Sequence, residues 1–203
     1  MSNKPTVFVV DDDQEVRESI RWLIESVNLA VETFGSGQEF LDAYDPDKPG
    51  CVVLDVRMPQ SSGLELQKKL LARGLDIPVI IVSAYGSVPV AVEAMRAGAV
   101  DFIEKPFSDQ ALLDRIHQAI AKDRGVRRRK AKRAELAARV GGLTSREREV
   151  MELVVVGKAT KRIAIDLGIS PKTVEAHRAR IMQKMAADSL AELVQMAVTV
   201  RSI

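Results

Sequence analysis

Short apolar runs alternate with helix-length segments along the first part of the chain. The runs at 7–10, 30–34, 51–54, 78–82 and 100–103 are rich in β-branched and aromatic residues, and each predicts a strand. Between the first two, Val16, Ile20, Leu23, Ile24 and Val27 fall on one stripe at helical spacing, which predicts a helix over 14–27. Segments 37–43, 62–73, 87–97 and 109–121 read as four further helices. Five β/α units in succession build a parallel sheet covered by helices on both faces, an α/β architecture. From 142 onward the strand pattern disappears. Thr144 and Glu147 form a capping box that opens a helix with Val150, Leu153 and Val154 on its apolar side. Thr160 is placed to cap a second helix over 161–167, which Gly168 stops. Ser170 and Pro171 open a third, with proline at its first helical position, and Ser189 with Glu192 opens a fourth. A short helix, a glycine turn and a longer helix make the helix-turn-helix pattern.

Charge divides the chain in the same way. Residues 1–121 hold 11 Lys/Arg against 19 Asp/Glu, residues 122–139 nine against two, and residues 140–203 ten against seven. The overall +2 therefore averages an acidic domain, a basic joint and a mildly basic domain. Basic surfaces favour polyanions through counterion release and long-range steering. The expected division is 1–121, a joint over 122–141, and 142–203. The joint, rich in Arg, Lys and Ala and punctuated by Gly125, Gly141 and Gly142, allows either a helix extending the preceding one or a flexible tether. Its run 127–130 could meet DNA phosphates or stay solvated. A single cysteine excludes a disulfide framework and a thiolate metal cage. No long uncharged apolar stretch predicts a membrane span, and the N-terminus does not read as a signal peptide, so the cytoplasm is the expected location.

The chemistry gathers at strand ends. Asp11 and Asp12 follow the first strand, Asp55 the third, Ser83 the fourth and Lys105 the fifth. In open parallel sheets the C-terminal strand edges form the sites. Three carboxylates there call for a hard divalent cation such as Mg²⁺, with Asp12 and Asp55 as direct ligands and Asp11 nearby or acting through water. Phosphoryl transfer to a carboxylate needs the incoming charge neutralised on several sides. Asp55, on the central strand, is the candidate nucleophile, with the Lys105 ammonium and the Ser83 hydroxyl beside it. Asp13 reads as a helix cap. In the second domain a helical wheel turns Val174, Ile181 and Met185 to the core and Lys172, Ala176, Ala179 and Gln183 outward, with Arg180 and Glu175 flanking. Two alanines allow close approach to a groove floor, where their methyls can meet thymine methyls. Lys172, Arg180 and Gln183 can reach phosphates or base edges. Lys161, Arg178 and Lys184 read as phosphate contacts that position rather than specify, and Thr173 stands at the helix start.

These residues carry a resemblance. Asp11-Asp12-Asp13, the segment from Asp55 through Arg57 and Met58 to Pro59, Gly63, Ser83-Ala84, Gly98-Ala99 and Lys105-Pro106-Phe107 resemble a two-component receiver domain of the flavodoxin-like fold. The resemblance implies that Asp55 accepts phosphate from a sensor histidine kinase, and that Asp11, Asp12, Asp55 and the Arg57 carbonyl serve Mg²⁺. It implies that Ser83 contacts the phosphoryl group, that Phe102 is the aromatic switch, that Lys105 pairs with the phosphorylated Asp55, and that the Lys105–Pro106 bond is cis. Residues 142–200 resemble the LuxR/FixJ-type helix-turn-helix, through the run from Leu143 to Val150, Gly157, Lys161 to Ala164, Leu167 to Ser170, Lys172 to Glu175, His177-Arg178 and Lys184-Met185. There Glu147 and the basic helix stabilise the domain and the third helix enters the major groove. Thr160 departs from the pattern, which often has Asn, and Glu175 with Ala176 leaves the operator open. The combined expectation is a phosphorylation-activated DNA-binding transcription regulator, homodimeric when phosphorylated, and not an enzyme in the usual sense. A relay module with a protein-binding tail is the competing reading.

Overall fold

A strand whose every side chain is apolar needs cover on both faces, and the parallel ladder supplies it. The computed structural model describes residues 4–59, 62–84 and 87–201. Its elements run β1 (Thr6–Val10), α1 (Gln14–Ser26), β2 (Ala30–Phe34), α2 (Gly37–Ala43), β3 (Gly50–Asp55), α3 (Gly63–Ala72), β4 (Val79–Ser83), α4 (Val88–Arg96), β5 (Asp101–Glu104), α5 (Asp109–Gly141), α6 (Ser145–Val155), α7 (Thr160–Leu167), α8 (Pro171–Met185) and α9 (Leu190–Arg201). The five strands are parallel and ordered β2-β1-β3-β4-β5. The chain direction across the sheet reverses between β1 and β3, so a crevice opens at their C-terminal ends.

Alternation along the strands sorts the core into two layers. Phe8, Val10, Val52, Leu54, Val79 and Ile81 face α2, α3 and α4, where Phe40, Leu66, Leu70 and Ala94 meet them. Val7, Val9, Cys51, Val53, Ile80 and Val82 face α1 and α5, against Ile20, Ile24, Leu112 and Ile116. Asp13 caps α1 by accepting the Glu15 and Val16 amides.

The chain divides into two compact units within α5, after Arg127. Of the two forms the joint allowed, the structure has the helix: α5 continues through Gly125 to Gly141. In the second unit Val150, Val154, Ile163, Val174, Ile181, Met185 and Leu193 form one core. Thr144 and Glu147 make the expected capping box. Thr160 does not cap α7. Ala159 holds the cap position without a side-chain bond, and the Thr160 hydroxyl is drawn instead to Glu175, 2.7 Å away. Gly168 turns the chain in a left-handed conformation with φ of 65°, and Ser170 caps α8 by accepting the Thr173 amide. At α9 the box is shifted: Ser189 accepts the Glu192 amide, but the Glu192 carboxylate takes the Asp188 amide.

Candidate functional site

Asp11 leaves β1 and Asp55 ends β3, and the crevice between these neighbours sets their carboxylates facing the same ammonium. Lys105 Nζ lies 2.8 Å from Asp11 Oδ2 and 2.9 Å from Asp55 Oδ1. Asp11 is almost entirely held: its Oδ1 accepts the Asp13 amide at 3.0 Å, its amide donates to the Phe34 carbonyl, and its own carbonyl accepts Arg17 Nη1 at 2.7 Å. Asp55 Oδ2 accepts the Arg57 amide at 2.6 Å. Gly63 makes this packing possible. A β-carbon there would stand 2.1 Å from the Asp55 carbonyl oxygen, so α3 can begin against the end of β3 only without a side chain.

Burial dominates the electrostatics. Asp11, Asp55 and Ser83 are buried, whereas Asp12 is exposed. Burial raises the Asp55 carboxyl above its ordinary value; the hydrogen bond and charge of Lys105 oppose this, and the charge of Asp11 adds to it. For Lys105, burial pulls the ammonium down but the two carboxylates outweigh it and its pKa is raised. One cation thus serves two buried anions. No group of three or more His, Cys, Asp or Glu side chains among the described residues stands arranged around a metal position; Lys105 bridges two of the acids. The oxygen donors themselves, Asp11, Asp12, Asp55 and the Arg57 carbonyl, suit a hard divalent ion, and their excess negative charge fits one. Ser83 ends β4 and Phe102 lies on β5, partly buried against the α4-side layer. The Lys105–Pro106 bond is cis. A cleft of about 340 Å³ opens beside Asp12, lined by Ser36, Gln38, Met58, Pro59 and Lys69 among others.

In the second unit α8 presents Lys172, Thr173, Ala176, Ala179, Arg180 and Gln183 to solvent, and Lys161 is exposed on α7. Thr173 Oγ1 lies 2.8 Å from Ser170 Oγ, within the helix cap. Two residues expected as phosphate contacts have partners inside the unit. Arg178 Nη1 donates to the Thr160 hydroxyl at 2.9 Å. Lys184 Nζ donates to Glu147 Oε2 at 2.7 Å and to the Gly142 carbonyl at 3.2 Å. The Lys184 bond, with the Thr144 amide, holds the buried Glu147 carboxyl down at about 2. Sequence reasoning missed the ion pair of Asp123 with Arg127 on α5, whose signal was an acid four residues before a base within a basic run.

Comparison with known proteins follows the same division. Residues 7–117 match the response regulator receiver domain, and residues 142–197 match the bacterial regulatory proteins of the luxR family. The transcriptional regulatory protein FixJ of Azorhizobium caulinodans is 51% identical over 191 residues, covering 94% of this chain and 90% of that protein. TdiR, a transcriptional regulatory protein of Thauera aromatica, is 45% identical over 191 residues, covering 94% and 84%. Among solved structures, the response regulator StyR superposes with a TM-score of 0.89 at 45% identity, over 96% of this chain and 98% of that one. Full-length FixJ from B. japonicum gives 0.61 at 43% identity over the whole of both chains.

Proposed function

Because this chain belongs to the response regulators that join a receiver domain to a LuxR-type helix-turn-helix domain, we propose that it is a transcription regulator switched by phosphorylation of Asp55. The observation that supports this most directly is the Lys105 ammonium shared between Asp11 and Asp55. A buried carboxylate whose counter-ion is a lysine on a separate strand end is placed to attack a phosphorus atom and then hand that counter-ion to the new phosphoryl oxygens.

Asp11, Asp12, Asp55 and the Arg57 carbonyl would hold Mg²⁺, which when bound neutralises charge on the incoming phosphoryl group. An Asp55 carboxylate oxygen forms the bond to phosphorus while the donor's P–N bond breaks and its electron pair leaves on the histidine nitrogen of a sensor kinase. Lys105 moves its hydrogen bond from the carboxylate to a phosphoryl oxygen, and the Ser83 hydroxyl donates to another. Ser83 and Glu104 are paired across the ladder between β4 and β5, so a shift of Ser83 is felt along β5 at Phe102. The physical content is a two-state equilibrium biased by one charged group.

On the neighbouring α4, Val88, Val92 and Met95 are exposed at 76%, 41% and 47% and recur at one-turn spacing. This apolar stripe supports homodimerisation of the phosphorylated chain through the α4–β5–α5 face. Two copies bring two α8 helices to a two-fold DNA site. Lys161, Lys172, Thr173, Arg180 and Gln183 supply its polar contacts and Ala176 and Ala179 the close approach. Arg178 and Lys184 contribute to the interface by fixing α8 on α7 and α6. No helix among the described residues is long and apolar enough to cross a membrane. Acting on DNA, the chain works in the cytoplasm.

Acetyl phosphate with Mg²⁺ should label the wild-type chain and leave Asp55→Ala unlabelled. Both proteins are then titrated into a DNA duplex selected on the phosphorylated wild type. Superimposable binding curves for phosphorylated wild type and Asp55→Ala would overturn the reading.

A further inference from the structure

The first unit contains a buried ionic cluster that the phosphoryl chemistry does not use. Asp123, on α5, is 3% exposed. Its Oδ2 accepts the Gly50 backbone N–H at 3.0 Å. Both of its oxygens accept Arg127 Nε, at 3.0 and 2.8 Å. Arg127 reaches on, donating Nη1 to the Asp47 carbonyl at 3.2 Å and Nη2 to the Lys48 carbonyl at 2.8 Å. The cluster therefore ties α5 to the loop before β3 and to the first residue of β3. Burying a carboxylate without partners is costly; here the Arg127 Nε–H, shared between both oxygens, and a backbone amide meet it.

Two features show what the cluster does. Asp123 and Arg127 stand two residues either side of Gly125, the helix-weakening residue inside α5. An interior glycine costs about 1 kcal/mol of helix stability relative to alanine, and an acid four residues before a base, in the favourable order, spans that weak point. Secondly, β3 is buried along its whole length, Gly50–Asp55. One end of this strand donates to Asp123 and the other end is the phosphoacceptor. Close-packed strands of this kind shift as units rather than stretch.

We propose that Asp123 and Arg127 form a coupling clamp. It keeps α5 helical across Gly125 and fastens that helix to β3, so that phosphorylation of Asp55 is transmitted into the segment running on to the DNA-binding domain. The inference rests on the reading of Asp55 as the phosphoacceptor.

The test uses the full chain as wild type, Asp123→Asn, Arg127→Gln and, as a charge-matched control on the same helix, Arg128→Gln. Hydrogen exchange of amides 122–132 is followed with and without acetyl phosphate and Mg²⁺, and labelling of Asp55 is measured in parallel. Asp123→Asn and Arg127→Gln should take phosphate as the wild type does. Before phosphate their amides 122–132 should exchange about tenfold faster or more, the scale set by losing a hydrogen bond to a charged group. They should also lose the phosphate-induced change that the wild type shows in this segment, while Arg128→Gln behaves as wild type. Unchanged protection in both clamp variants overturns the proposal, and so does a phosphate response that persists in them. A wild-type chain whose Asp55 stays unlabelled removes the signal the clamp would carry. That outcome fails the phosphoacceptor reading, and the absent label distinguishes it from a failure of the clamp itself.

Discussion

Lys184 Nζ lies 2.7 Å from Glu147 Oε2, so a lysine of α8 completes the N-terminal cap of α6. The carboxylate accepts the Thr144 amide at 2.9 Å as well. The pair welds the helix expected to face DNA to α6, and it makes that weld dependent on the ionised form of Glu147.

Acid should therefore loosen the second unit in a defined window. The Glu147 carboxyl falls from 4.5 to about 2 in the folded chain, first through its hydrogen bond to Lys184 and next through the Thr144 amide. A depressed folded pKa means stability that is fully present above the unfolded value and disappears as pH falls through the folded one. Denaturant unfolding followed by exchange of the α6 and α8 amides should show this loss between pH 4.5 and about 2. Glu147→Gln should start less stable at neutral pH and lack that component of the acid dependence.

Asp55 should respond to pH with the opposite sign. Burial raises its carboxyl, and only the carboxylate is a nucleophile. In the metal-free chain the Asp55 carboxyl should take up its proton at a pH above the ordinary aspartate value of 3.8. Stability should move the other way, since a raised folded pKa favours the folded chain as the group takes its proton. Carboxyl chemical shifts followed across the acidic range without Mg²⁺ check the first statement, and the urea midpoint of Asp55→Asn at neutral pH, expected above wild type, checks the second.

Gly63→Ala should damage the phosphoacceptor without touching a charged residue. Its β-carbon would press to 2.1 Å on the Asp55 carbonyl, so either α3 or the end of β3 must move. A cost of about 3 kcal/mol is expected for such backbone overpacking, together with about a tenfold slower labelling of the fraction that remains folded. Thermal unfolding and labelling on one sample separate the two effects.

Salt dependence should sort the basic residues of the second unit. Lys172→Ala and Arg180→Ala, both exposed and without an intradomain ion pair among those described, should each reduce the slope of log K against log salt by about one. Lys184→Ala should leave that slope nearly unchanged and lower the unfolding midpoint instead. Ala176→Glu, on the exposed side of α8, should keep stability within about 0.5 kcal/mol of wild type and weaken DNA binding at least about tenfold. Fluorescence titrations between 50 and 200 mM salt, a range over which phosphate contacts register roughly as powers of ten, decide each case.

Period and punctuation carried most of this architecture. Uniformly apolar strands and 3.6-residue stripes read directly as a two-faced parallel sheet, and strand ends placed Asp11, Asp55, Ser83 and Lys105 on one edge before any distance was known. Caps at Thr144 and Ser170 were equally legible, because the partner amide is three residues away. What local pattern could not convey was long-range pairing. Lys184 reads as a free phosphate contact until Glu147, 37 residues earlier, is folded against it. Thr160 has the chemistry of a cap, but its hydroxyl donates to Glu175 and accepts from Arg178 across a turn. Asp123 and Arg127 sit in a run that looks solvated; their four-residue spacing allows a pair, but what holds it buried includes the Gly50 amide, 73 residues away.

That distant amide has a practical bearing on how the receiver can be isolated. Gly50 admits no side chain, since a β-carbon would fall 1.8 Å from the Thr6 carbonyl, and its N–H points at Asp123. A fragment trimmed at the end of the β/α repeat, after residue 121, would keep every phosphorylation residue yet discard both the acceptor for this amide and the guanidinium that holds the preceding loop. Such a fragment would carry an orphaned donor beneath its central strand, and stopping beyond Arg127 would avoid it.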